Sequence, residues 1–271
     1  MAASVGAVRH ALFLAPFDQL ADPHALVDVA AAAEEAGWDG VFLWDHVLRP
    51  PDESQDIADA WIALAAMACA TTRIRLGTMV TPLVRRRVQV LARQTVTLDH
   101  LSKGRLVLGI GLGVDGGREL SAFGEETDPR RRGEHTDEAV VALHGLWSGE
   151  RTTVHGRDVW VDGVTFLPRP VQRPRIPTWF AARGDALRPA RRAGRHGDGL
   201  FPIEVDRSRL ARMLDAVAAE RGSLEGFDVA VRLSDGPSAF VDLRVTWVLH
   251  DFPPDVELAA VHSHITRAER S

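Results

Sequence analysis

Arg73 to Gly113 reads RIRLGTMVTPLVRRRVQVLARQTVTLDHLSKGRLVLGIGLG. The segment opens on an apolar run, Ile74 to Met79, and then crosses a basic stretch, Arg85 to Arg87. From Val88 to Leu101 the apolar residues recur every three or four positions, the period of a helix with one buried face. Lys103 and Gly104 end that helix with a basic last turn and a glycine stop, and a second apolar run, Arg105 to Ile110, follows at once. Strand, helix and strand in immediate succession make a crossover unit, whose two strands lie parallel in one sheet.

The same alternation continues toward both ends. Upstream, His10 to Ala15 is a strand. Its helix starts at Asp22 as N-cap and Pro23 as first residue, buries Leu26, Val29, Ala30 and Ala33, and stops at Gly37. Gly40 to Trp44 is the second strand, and its helix, Asp56 to Ala70, buries Ile57, Trp61, Leu64, Ala65 and Ala68. The fourth strand is followed by a helix from about Glu134 to Trp147. Downstream come strands at Thr178 to Ala181, Gly199 to Phe201, Asp228 to Val231 and Val245 to Leu249. Their helices run from Asp185 to Ala193, from Asp206 to Arg221, briefly near Ser238, and from Asp255 onward. Eight such units predict a closed (β/α)8 barrel, a TIM barrel, as one domain over residues 1–271; an open doubly wound sheet is the alternative. Residues 150–177 break the rhythm. They alternate around His155-Gly156 as a hairpin and then run through Pro168, Pro170, Pro174 and Pro177, an insertion between the fourth and fifth strands.

Size and composition agree with a barrel. The chain has 271 residues, 45% of them hydrophobic and 25% charged, against about 250 residues for this fold. A formal charge of −5 and a pI near 6.1 give no electrostatic case for nucleic acid or an anionic membrane, so a small-molecule partner is expected. The single cysteine, Cys69, lies in the apolar run Ala63 to Ala70 and reads as packing, compatible with a reducing compartment. The N-terminus carries no leader pattern and no apolar stretch is long enough to span a membrane, so a cytoplasmic location is expected.

In a barrel the chemistry collects where the strands end. The second strand ends Trp44-Asp45-His46, an apolar wall, a carboxylate that can orient, and an imidazole that titrates near neutral pH. The plainer alternative is a turn cap and a solvated histidine. The fourth strand ends Gly109-Ile-Gly-Leu-Gly113, followed by Val114-Asp115-Gly116-Gly117, where missing side chains let a planar ligand or a phosphate approach the backbone. Residues 111–116 also fit Gly-x-Gly-x-x-Gly. The acids about 20 positions on, Glu134, Asp137 and Glu138, fall in a helix, which disfavours a dinucleotide domain. The fifth strand ends Ala181-Ala182-Arg183-Gly184-Asp185 and leads into a helix. This is either a phosphate site or merely a cap with a surface arginine. Arg85 to Arg87 and Arg130 to Arg132 follow the third and fourth strands at the same mouth, either to receive an anionic cofactor tail or substrate or as solvated loops. No metal is expected, since His10 has Leu12 where a second ligand would stand, and His262 and His264 fall in the last helix.

These motifs resemble the bacterial luciferase-like superfamily, flavin- and deazaflavin-dependent oxidoreductases built on a (β/α)8 barrel. The resemblance is carried by Ala33 to Gly40 with Trp44-Asp45-His46, by Arg75 to Pro82, by Leu98 to Arg105 with Leu108 to Gly113, and by Glu119 to Gly124. The proline-rich run into Ala181-Ala182-Arg183-Gly184, with His196 to Leu200, extends it. It implies reduced FMN or the deazaflavin F420 as cofactor. Met79-Val80 would form a bulge, often a non-proline cis peptide, beneath the ring, with Gly111, Leu112, Gly113 and Val114 beside it and Ala182 to Gly184 at the cofactor phosphate, Ala181 adjoining them in the cofactor site. Phe13, Phe17, Trp44 and Met79 would form the apolar pocket, and His46, paired with Asp45, the catalytic base.

The F420-dependent branch usually places a glutamate just after the glycine loop; here the position reads Val114-Asp115, so Asp115 substitutes or the acid is absent. The first expectation is a monooxygenase using reduced FMN and oxygen on a small organic substrate. The second is F420-dependent hydride transfer. Other classes are a flavin-binding protein without turnover and a barrel hydrolase or isomerase using Asp45 and His46. The implied partners are a separate flavin or F420 reductase and a second copy of the chain, with Trp61 and Trp147 read as core rather than as dimer contacts.

Overall fold

The computed structural model describes residues 7–49, 55–240 and 242–268; the N-terminal residues read for a leader lie partly outside them. Eight strands close into a parallel barrel in the order β1 (Arg9–Leu14), β2 (Gly40–Leu43), β3 (Arg75–Pro82), β4 (Leu106–Gly111), β7 (Thr178–Arg183), β8 (Gly199–Ile203), β9 (Asp228–Arg232) and β10 (Trp247–Asp251), with β10 pairing back onto β1. The open sheet is thereby excluded. The inserted hairpin, β5 (Arg151–His155) and β6 (Trp160–Thr165), pairs antiparallel outside the barrel. The carboxylate of Glu138 anchors it by accepting from the backbone N–H groups of Arg157, Asp158 and Val159 at 3.0, 2.8 and 3.1 Å.

Alternation along each strand divides the side chains into two layers. Ala11, Phe13, Phe42, Val107, Trp179, Phe201, Trp247 and Leu249 fill the interior, while Leu12, Leu14, Val41, Leu43, Leu106 and Leu108 face outward. Phe42, Trp179 and Trp247 pack ring against ring, with centroids 5.4 to 5.9 Å apart, and fill the middle of the barrel. The outer layer is covered by α1 (Pro23–Glu35), α2 (Ala60–Ala70), α3 (Val88–Leu101), α4 (Pro129–Ser148), α5 (Leu187–His196), α6 (Arg207–Arg221) and α7 (Leu258–Ala268). After β9 the helix is reduced to two 3-10 turns, Leu233–Asp235 and Pro237–Phe240.

Several helix starts differ from the sequence reading. α2 begins at Ala60 rather than at Asp56, with Asp59 as its cap accepting from the Ile62 N–H, and Ile57 instead forms an isolated bridge with Phe17. α4 begins at Pro129 with Asp128 as its cap, five residues before the expected Glu134, so Arg130 to Arg132 form its first turn instead of a loop. The Asp128-Pro129 pair is the N-cap and first-residue signal that also opens α1. α5 begins at Leu187; Asp185 does not cap it and binds Arg209 and Arg212 of α6. Cys69 is exposed rather than packed, because α2 is apolar on nearly every side and its composition does not reveal the outward face. Trp61 and Trp147 are buried. No helix among the described residues is long and apolar enough to cross a membrane.

Candidate active site

A cavity of about 340 Å³ opens at the C-terminal ends of the strands. Its apolar wall is Phe13, Trp44, Met79, Val80, Phe201 and Ile203, and the backbone of Gly111 to Val114 forms one side. The Met79–Val80 peptide is cis, and the pairing of β3 with β4 slips in register between Thr78 and Thr81, as the resemblance implies. Glycine at 109 and 111 makes this possible. A Cβ on Gly109 would stand 2.1 Å from the Thr78 carbonyl oxygen, and one on Gly111 would stand 2.2 Å from Val80 Cγ2.

Of the residues singled out from sequence, Phe13, Trp44, Asp45, His46, Met79, Val80, Gly111, Leu112, Gly113, Val114, Ala181 and Arg183 all line this cavity. Ala182 and Gly184 are outside its wall. Ala182 is buried in the strand–helix layer, as the strand's alternation requires between Ala181 and Arg183, and the Gly184 N–H is used in a 3.0 Å bond to the Ile203 carbonyl. Phe17 is buried behind the wall, its ring 6.1 Å from Trp44 and 6.0 Å from His46.

Asp45 does not pair with His46. Its carboxylate accepts from Thr81 Oγ1 at 2.7 Å, from Trp61 Nε1 at 3.1 Å and from Arg86 Nη2 at 2.7 and 2.9 Å. That places it as an anchor tying the end of β2 to β3 and α2. The carboxylate beside the imidazole is Glu119, whose Oε2 lies 3.0 Å from His46 Nδ1, while its Oε1 accepts from the Val47 N–H at 2.7 Å. Arg85 is ion-paired with Glu119 and donates to the Asp45 carbonyl. Burial pushes the Glu119 carboxyl up, but the bond and charge of His46, the Arg85 charge and the Val47 amide outweigh it and hold the group below its usual range.

Asp115, the expected substitute for the missing glutamate, points elsewhere. Its carboxylate accepts from the Leu120 and Ser121 N–H groups at 2.8 and 2.9 Å, and these bonds lower its pKa. In doing so it folds the loop that carries Glu119 back over the mouth, with Leu120 fully buried as the fastener. The two arginine clusters also resolve. Arg85 and Arg86 are taken up by Glu119 and Asp45. Arg130 and Arg131 bind Glu134, and Arg131 also holds Asp158 of the hairpin. Arg132 is different: it lines the cavity, is 5% exposed and, among the described residues, donates from Nη1 only to the Thr127 carbonyl, with no partner for its buried Nε. Arg183 is ion-paired with Glu204, and Arg232 with Asp235.

Glu119 and Arg232 escaped the sequence reading, and Arg132 stood in it only as one of the cluster Arg130 to Arg132. Glu119 stood inside a quoted motif, but no spacing rule joins residues 46 and 119.

The description luciferase-like monooxygenase belongs to the family model that matches residues 8–234. The chain belongs to this family. Among curated luciferase-like relatives, an F420-dependent glucose-6-phosphate dehydrogenase of Nakamurella multipartita is 37% identical over 181 residues, covering 66% of this chain and 52% of that protein. One of Gordonia bronchialis is 30% identical over 244 residues, covering 88% of this chain and 67% of that protein. The match thus spans only about half the length of the Nakamurella relative. Among solved structures, an F420-dependent secondary alcohol dehydrogenase in complex with an F420-acetone adduct superposes with a TM-score of 0.74 at 21% identity, covering 95% of this chain and 81% of that one. A monooxygenase from Streptomyces bottropensis gives a TM-score of 0.74 at 20% identity, covering 95% and 96%. At these identities the structures establish the common luciferase-like barrel.

Proposed function

We propose that this luciferase-like chain is an F420-dependent oxidoreductase acting on a small organic alcohol or carbonyl compound, with His46 moving the proton at the substrate oxygen. One observation carries the reading: an imidazole, backed by a buried carboxylate, stands on the wall of a glycine-flanked cavity lined mainly by apolar side chains. The relatives quoted above are named for F420. On that ground hydride transfer is placed ahead of the reading with reduced FMN and oxygen, which the sequence alone placed first.

The residues present fit such a cofactor. Phe13, Met79 and Val80 offer a flat apolar bed, Gly111 to Val114 expose backbone rather than side chains, and Arg132 is a buried cation with an unpartnered Nε. An anionic group of the cofactor would supply the direct ionic partner that Arg132 lacks among the described residues. F420, when bound, supplies the two-electron hydride chemistry. The protein's own share is to exclude water with Phe13, Trp44, Phe201 and Ile203, to hold the substrate oxygen near the His46 imidazole, and to accept its proton as the alcohol is oxidised or return it in reverse. A separate enzyme that recycles the cofactor belongs to the same proposal.

Turnover tests it. Purified protein with F420 and a panel of secondary alcohols and sugar phosphates should consume oxidised F420, and His46→Ala should lower kcat by about 100-fold or more. Unchanged turnover in His46→Ala would remove His46 from the chemistry. Binding without turnover across the panel would favour a flavin-binding protein that is not an enzyme.

A further inference from the structure

We infer that Glu119 is a positioning residue that dictates which nitrogen of His46 carries the proton, leaving the other nitrogen free to act as the base. The inference rests on the assignment of His46 to proton transfer and adds the group that prepares it.

The argument is one of donors and acceptors. Glu119 is 3% exposed, and both of its oxygens are engaged, Oε1 by the Val47 N–H and the Arg85 guanidinium and Oε2 by His46 Nδ1 at 3.0 Å. An ionised carboxylate only accepts, so Nδ1 must be the nitrogen that bears hydrogen, and in the neutral ring Nε2 then holds the free lone pair. Burial opposes ionisation of Glu119, and the bond and charge of His46, the Arg85 charge and the Val47 amide together favour the charged form. The carboxylate is also rigid relative to the ring it orients. It is bonded to the backbone of the residue next to His46, and Arg85 ties it to the Asp45 carbonyl on the other side. Trp44 and Phe17 flank the imidazole at 5.6 and 6.0 Å between ring centroids and restrict its rotation.

Asp45, the sequence neighbour, is unavailable for this task because Thr81, Trp61 and Arg86 already hold it. Glu119 is thus the charged group hydrogen-bonded to the imidazole, Arg85 is ion-paired to Glu119, and Asp45 with Arg86 stands behind them. When His46 takes a proton, the same carboxylate stabilises the resulting imidazolium.

Substitution by glutamine gives a sharp prediction. The Val47 N–H donates to the Oε1 position and the Arg85 cation stands beside it, so the amide oxygen of Glu119→Gln settles there and its NH2 group faces His46 Nδ1. A donor in that place forces Nδ1 to accept and moves the ring proton to Nε2, the wrong nitrogen for a base.

Nitrogen-15 spectra of cofactor-free, histidine-labelled protein read this directly, with the His46 signals assigned by their loss in His46→Ala. With the ring neutral, the wild type should show a protonated Nδ1 and an unprotonated Nε2, Glu119→Gln the reverse, and Glu119→Ala a mixture. In turnover, Glu119→Gln should lower kcat by about 100-fold or more with cofactor affinity changed less than about threefold. A wild-type ring protonated on Nε2, or a Glu119→Gln spectrum identical to wild type, would overturn the inference. The predicted spectra without any binding of F420 would uphold the role of Glu119 and sink the cofactor assignment instead.

Discussion

Two buried guanidinium groups, Arg105 and Arg132, show how partner inventory separates a structural residue from one that awaits a ligand. Arg105 spends all five of its N–H donors, on Ser102 O, Thr71 Oγ1, Ile74 O, Ala68 O and Thr71 O, and so ties the end of α2 to the start of β4. Replacing it by Met leaves those buried acceptors unpaired, and urea unfolding should show a loss of about 3–5 kcal/mol. Arg132 has one carbonyl partner and an idle Nε beside the cavity. Arg132→Met should cost less than about 1 kcal/mol of stability, because it removes a buried charge that no carboxylate among the described residues ion-pairs directly, Asp115 acting on it only at a distance. The same change should weaken cofactor binding by tenfold or more in a fluorescence titration. Unaltered affinity would show that Arg132 does not meet the cofactor's anion. Sequence alone could not sort the arginine clusters, since neighbours such as Arg131 and Arg132 differ only in which side of a helix turn they occupy.

Elements with signals at both ends were legible. α3 runs from Val88 to Leu101 as expected, because apolar periodicity, a basic last turn and the Gly104 stop agree on its limits. Starts of α2 and α4 were misplaced where two acids or a proline competed for the cap. The loop between β4 and α4 was illegible for a different reason: its shape depends on Asp115 capping Leu120 and Ser121, a local bond with no periodic trace. The β3–β4 contact yields an element-scale prediction. Gly109→Ala would put a Cβ 2.1 Å from a backbone oxygen and 2.7 Å from Met79 Sδ, whereas Gly116→Ala meets nothing within 4 Å. The first should lower stability by about 2 kcal/mol or more and impair cofactor binding by displacing Met79. The second should leave both unchanged in thermal melts and titrations.

Across the whole molecule, barrel closure brings β10 against β1 and buries imidazoles the active site does not use. His250 hydrogen-bonds His10 and His264 at 2.9 and 2.7 Å and packs edge-on against Trp38 between the barrel and α7. Burial, then the neighbouring His264 and His10, lowers its pKa from 6.5 to about 4. Burial, then Arg175 and His196, lowers that of His144 to about 3. The folded protein keeps both neutral while the unfolded chain binds protons first, so their contribution is intact above pH 6.5 and falls as the pH drops toward 4 and 3. Glu34, which burial raises but the backbone N–H groups of Ile74, Arg73 and Thr72 lower to about 2, extends the loss from pH 4.5 downward. Denaturation midpoints measured from pH 7 to pH 4 should decline, and His144→Leu should flatten the curve. A midpoint constant over that range would contradict these burials. The barrel itself was readable because eight crossover units leave few other topologies; which side chains meet across its mouth was not, because closure joins residues as far apart as His46 and Glu119.

The cavity beside His46 is proposed to take a deazaflavin. Equilibrium titration of the purified protein into F420, with FMN in a parallel cell, tests it without any assumption about substrate. Saturable quenching of F420 fluorescence, weakened tenfold or more in Arg132→Met and preserved in His46→Ala, is the predicted result; saturable quenching of FMN with none of F420 would contradict it.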